Sequence, residues 1–118
     1  MKFFSVFTID PSAPPAPPDP QMYAAMGALI KELMDLGKML DTGGVMPTGV
    51  SVRVSRAKGS TSVTDGPFAE AKEIVGGFAL FDVASKAEAA ALTERFLALV
   101  GSGTCTLYEV SPTPTQRE

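Results

Sequence analysis

The chain has 118 residues, 45% of them hydrophobic and 19% charged, with a formal net charge of -3, one Cys and no His. A chain of this length buries roughly two-thirds of the surface its unfolded form exposes, so one compact domain fits and two do not. The missing His excludes the commonest general base, the commonest zinc ligand and every Ser-His or Cys-His nucleophile pair, the single Cys excludes an intrachain disulfide, and an acidic balance without a basic run argues against nucleic acid as a partner.

Lys2 to Ile9, KFFSVFTI, carries bulky apolar groups on both alternating sets, with Phe3, Phe7 and Ile9 on one face and Phe4 and Val6 on the other. Such a strand is covered on both sides. Asp10 to Pro20 holds six prolines; with φ fixed and donors missing, it is expected to be an extended surface loop. Asp19 followed by Pro20 is a helix start, a carboxylate N-cap before a proline whose absent N–H costs nothing at the first helical position. Met22, Met26, Leu29, Leu33 and Leu36 then share one helical face as a core stripe, and Gly37 can close the helix. Lys31, Glu32 and Asp35 interrupt this stretch, and no signal-like leader is seen, so the protein is expected to be soluble and cytoplasmic, with no membrane partner.

Met39 and Leu40 form a short apolar piece before the irregular TGGVMPTG. Val50 to Val54 alternates as a half-buried strand, Lys58-Gly59-Ser60 offers a turn, and Thr61 to Thr64 can return as the second arm of a hairpin. Ile74 to Val83 is a strand whose Gly76 and Gly77 indicate a bulge or a close backbone approach. Ser85 and Glu88 have the spacing of a capping box, opening a helix that buries Ala89, Leu92, Phe96 and Leu99 and stops at Gly101. Thr104 to Val110 is the last strand. Residues 1–111 are expected to make a single domain and residues 112–118 a polar tail.

The order is two strand-helix-strand units with a hairpin extension, which predicts an α+β, ferredoxin-like fold: an antiparallel sheet with both helices on one face. The other sheet face then has no helix to cover it. Because a large exposed apolar face is disfavoured in a soluble monomer, the expected partner is a second copy, packed through that open face.

Val63 to Phe78, VTDGPFAEAKEIVGGF, is the most distinctive segment. Asp65-Gly66-Pro67-Phe68, followed by Glu70, Lys72-Glu73 and Gly76-Gly77-Phe78, resembles the signature of the YCII-related, DGPF-domain family of small bacterial proteins. The likeness extends to the aromatic first strand, the Gly after the first helix, SVRV and the closing TLYEV. The resemblance implies a dimeric ferredoxin-like α/β barrel, for the most part of unknown function. Some relatives are enzymes with a His-Asp pair, chemistry that a chain without His cannot share, which leaves Asp65 as the match. Relatives are often encoded beside extracytoplasmic-function sigma factors, which implies a regulatory partnership as one possible role.

Each residue of the motif also has a structural use: Asp65 to accept backbone N–H groups, Gly66 to take positive φ, Pro67 to set a bend, Phe68 to anchor it. The candidate catalytic residues are Asp65 and Glu73, moving a proton in a lyase or isomerase. The candidate ligand-binding residues are Arg53, Asp65, Phe68 and Lys72, arranged for a small anionic molecule. Asp65, Glu70 and Glu73 match no calcium-loop spacing, so no metal and no cofactor is expected. Cys105 reads as a small buried hydrophobe. Three roles therefore remain: a homodimeric small-molecule-binding or accessory protein first, a carboxylate-dependent lyase or isomerase second, and a regulatory partner third.

Overall fold

The computed structural model describes residues 1–12, 19–46, 50–66, 68 and 74–113. Its elements are β1 (Lys2–Ile9), α1 (Pro20–Asp35), β2 (Met39–Gly44), β3 (Val52–Ala57), β4 (Ser60–Asp65), β5 (Ile74–Asp82), α2 (Lys86–Val100) and β6 (Thr104–Glu109). Four strands form an antiparallel sheet in the order β2-β5-β1-β6, while β3 and β4 make a separate two-stranded ribbon. This is the ferredoxin-like arrangement, with the ribbon inserted between its second and third strands.

Local chemistry sets both helices. The Asp19 carboxylate accepts from the Gln21 N–H at 3.0 Å, ahead of Pro20 in the first turn of α1. At the start of α2 the Ser85 hydroxyl accepts the Glu88 N–H at 3.1 Å. The box is closed one residue earlier than its spacing implies, because the Glu88 carboxylate takes the N–H of Ala84, at 3.2 Å, rather than that of Ser85. The same carboxylate pairs with Lys38 at 3.3 Å. The helices are clipped together by Arg95, which grips Glu32 with two bonds of 2.8 and 3.0 Å.

Both helices lie on one sheet face. Phe3 and Phe81 from the sheet meet Leu29 and Leu33 from α1 and Ala89 and Leu92 from α2, with Met39 and Val83 at the margin. Burying each large side chain in this layer contributes roughly 1.5–3 kcal/mol. On the opposite face, register places Phe4 beside Leu80 and Tyr108, and Val6 beside Phe78 and Thr106. Phe4 stacks on Phe78, and both Phe4 and Tyr108 remain exposed.

Two expectations need correction. The segment beginning TGG is not wholly irregular: Asp41 to Gly44 continues β2 and pairs with β5 after a bulge at Leu40. An edge position tolerates Asp and Gly that would weaken an inner strand. Consequently the second core strand is β2, and Val52–Ala57 is not half-buried: within one chain every residue of β3 and β4 is exposed. The expected extended proline loop is described only at its ends, where Ser12 bonds the Asp10 carboxylate through both N–H and hydroxyl. Residues 13–18 lie outside the described residues.

Candidate functional site

Small residues in the sheet leave a hollow beneath the helices. In β1, Ser5 sits between Phe3 and Phe7 on the helix-facing side. In β2 and β5, Gly43, Gly44, Gly76 and Gly77 add backbone only. Gly76 is the extra residue of a bulge opposite Phe7 and Thr8. A Cβ on Gly77 would lie 3.0 Å from the Gly43 carbonyl oxygen, so the strands approach closely here as well. Bulge and close approach thus occur together at the double glycine.

The helices roof this floor without filling the space. Met26 and Leu29 of α1 and Phe96 of α2 reach over it, Phe96 meeting Phe7 edge-to-face at 5.2 Å. The result is a cavity of ≈ 390 Å³. Among the described residues its lining includes no Asp, Glu, Lys or Arg. Two lining hydroxyls are already committed, Thr42 Oγ1 donating to the Phe78 carbonyl and Thr93 Oγ1 to that of Ala89, both at 2.8 Å. Among the described residues, the other polar side chains facing the space are the Ser5 hydroxyl, the Cys105 thiol and, from the solvent side, Tyr23. Burial pushes the Cys105 thiol up from 9.0, and its hydrogen bond with Ser5 only partly offsets this. The thiol is therefore protonated at neutral pH and acts as a polarizable wall.

The residues singled out by sequence lie elsewhere. Arg53 on β3 holds its guanidinium 3.9 Å from the centre of the Phe68 ring. Asp65 ends β4 opposite Val52, exposed and without a hydrogen-bond or charge partner among the described residues. None of the three lines the cavity. Pro67, Glu70, Lys72 and Glu73 lie outside the described residues. Gly66 has a structural use, though not through positive φ: its N–H donates to the Ser51 carbonyl at 2.8 Å, and a Cβ there would collide with Ser51 Oγ. That hydroxyl is buried with no hydrogen-bond partner. Among the described residues no group of three or more His, Cys, Asp or Glu is placed to hold a metal ion.

Sequence reasoning did not name the residues that line this cavity. Its signal was the set of small residues at Ser5, Gly43-Gly44 and Gly76-Gly77, legible one by one but not as facing each other.

The model of the YCII-related domain matches residues 1–114. The chain belongs to the YCII-related family. One family relative, an uncharacterized protein of Rhizobium meliloti (strain 1021), is 35% identical over 71 residues, a match spanning 60% of this chain and 57% of that protein's length. Among solved structures, 5-chloro-2-hydroxyhydroquinone dehydrochlorinase (TftG) of Burkholderia phenoliruptrix AC1100, in complex with 2,5-dihydroxybenzoquinone, superposes with a TM-score of 0.54. That match covers 99% of this chain and 100% of the other at 15% identity, a likeness of fold. GlnK of B. subtilis matches more loosely, with a TM-score of 0.37 and 16% identity over 93% of this chain and 85% of the other. Among the described residues no helix is long and apolar enough to cross a membrane.

Proposed function

We propose that this YCII-related protein is a homodimeric binding protein for a small, uncharged cyclic molecule, held in the cavity between the sheet and the two helices. The observation that carries the reading is a cavity of ≈ 390 Å³ whose described lining residues include no charged side chain. Ligand sites commonly span about 300–1,000 Å³ and combine apolar walls with a few polar groups that orient the guest. Burying an ionised ligand here without a counter-charge would cost several kcal/mol, which selects a neutral one. Ser5 and Cys105 offer one hydrogen-bonding edge, suited to a ring hydroxyl or carbonyl, while Met26, Leu29 and Phe96 supply the apolar surround. A small anionic ligand, if bound, belongs instead beside Arg53 and Phe68. The homodimer is proposed through the sheet face bearing Phe4, Leu80 and Tyr108, which no helix among the described residues covers.

Because Cys105 is the chain's single Cys and lines the cavity, its reaction with a maleimide reports occupancy. Neutral phenols and hydroquinones are expected to slow labelling and raise the melting temperature, while benzoate and sugar phosphates do neither. Ala79→Leu, which adds bulk from the cavity floor, is expected to abolish the protection. Equal protection by charged and neutral rings, or protection unchanged in Ala79→Leu, would overturn the reading.

A further inference from the structure

The β3–β4 ribbon has no core of its own. One of its faces carries Val52, Val54 and Arg56 opposite Asp65, Val63 and Thr61. The three valines are 56%, 63% and 65% exposed. A two-stranded hairpin alone in water is marginally stable at best, and a row of exposed valines on one needs a surface to lie against. Its turn is well specified, with Lys58 and Gly59 at φ +53° and +76°, the pairing that two-residue hairpin loops favour. The ribbon is therefore a defined arm rather than a frayed loop.

The same chain presents a second uncovered apolar surface, the open sheet face. We infer that the β3–β4 arm of one copy lies valine side down across the open sheet face of a second copy, and that the exchange is mutual. This rests on the proposed dimer and says how it is built. Three features fit the two surfaces together. Strands of six residues span about 20 Å, and four strands side by side span about 19 Å, so the arm is long enough to cross the partner's sheet. On its valine side and at its turn the arm carries Arg56 and Lys58 against one acid, Asp65, whereas the open face carries Asp41 and Asp82 beside Lys2. Since one chain holds both the arm and its seat, a two-fold axis uses each twice and leaves neither exposed.

Two measurements on the full chain test the arm. In sedimentation equilibrium, Val54→Asp with Val63→Asp is expected to weaken the dimer by about 100-fold or more, with an unchanged far-ultraviolet circular dichroism spectrum, because these side chains touch nothing in their own core. In limited trypsin digestion of the wild type, cleavage after Arg53, Arg56 and Lys58 is expected to slow as the concentration rises through the dimerisation range. A variant that dimerises like wild type, or arm cleavage indifferent to concentration, overturns the arm exchange and leaves the sheet-face dimer standing. A wild type that stays a single chain at every concentration overturns both. If the variant does not fold, the trypsin experiment decides alone.

Discussion

Ser51 and Gly66 show how closely two residues can be tied without a bond between their side chains. The Ser51 carbonyl holds the Gly66 N–H, and the Ser51 hydroxyl is confined where a Gly66 side chain would stand. Gly66→Ala is therefore expected to destabilise the protein by about 1–3 kcal/mol through overpacking. Ser51→Ala, which removes a buried hydroxyl without a partner, is expected to be neutral or stabilising and to recover part of that loss in the double variant. Chemical denaturation of the four proteins in a double-mutant cycle measures both effects. Asp65, by contrast, is exposed and caps no backbone N–H among the described residues. Asp65→Asn is expected to change stability by no more than about 0.5 kcal/mol, against the roughly 1–2 kcal/mol of a lost cap; urea titration distinguishes the two. How Gly66 is held depends on a serine fourteen positions upstream of Asp65, and no local pattern carries that.

The helices were legible because their determinants are local. Asp19 and Pro20 open α1, Ser85 opens α2, and the apolar spacing names Leu29, Leu33, Ala89 and Leu92 as the inward face. The edge strand β2 was not, since its Asp and glycines are individually poor strand formers and only pairing with β5 holds them extended. The Glu32–Arg95 clip between the helices, also invisible in sequence, makes stability depend on pH. The Arg95 hydrogen bond holds the Glu32 carboxyl below its ordinary 4.5, and the Ala84 N–H does the same for Glu88. A group with a depressed folded-state pKa stabilises fully above its unfolded value and loses that contribution as pH falls through the folded one. The protein is thus expected to hold a constant melting temperature from neutrality down to about pH 5 and to lose stability below 4.5. Arg95→Gln should flatten the part of that fall owed to Glu32. Thermal melts of both proteins across this range measure it; an identical acid limb in both would deny the clip its role. Glu32 and Arg95 are both about half exposed, so solvent screens the pair and the effect is modest.

At the scale of the whole chain, the radius of gyration is 16.6 Å, wider than the ~13 Å usual near 100 residues. The excess fits an arm standing away from the sheet, and the sequence contained it in plain form. Val52, Arg53 and Val54 alternate as a strand that buries one side. The alternation is consistent with burial against another molecule, since the same chain offers these valines no cover. The open sheet face was legible for the same reason, because β1 carries large apolar groups on both sides and only two helices exist among the described residues to hide them. The lining of the cavity was hidden because it is made of what is missing, side chains absent from three strands that are distant in sequence.

That absence also decides which parts of the cavity wall can change without moving the backbone. Gly43 and Gly77 face each other too tightly for a methyl group to enter between the strands without moving backbone, so the base of the chamber is locked by chain geometry. Its ceiling, from Tyr23 and Met26 to Phe96, hangs from two helices whose anchoring residues, Leu33 and Ala89, lie deeper in the core. Substitutions in the ceiling can therefore reshape the cavity while its floor and the core beneath the helices stay as they are.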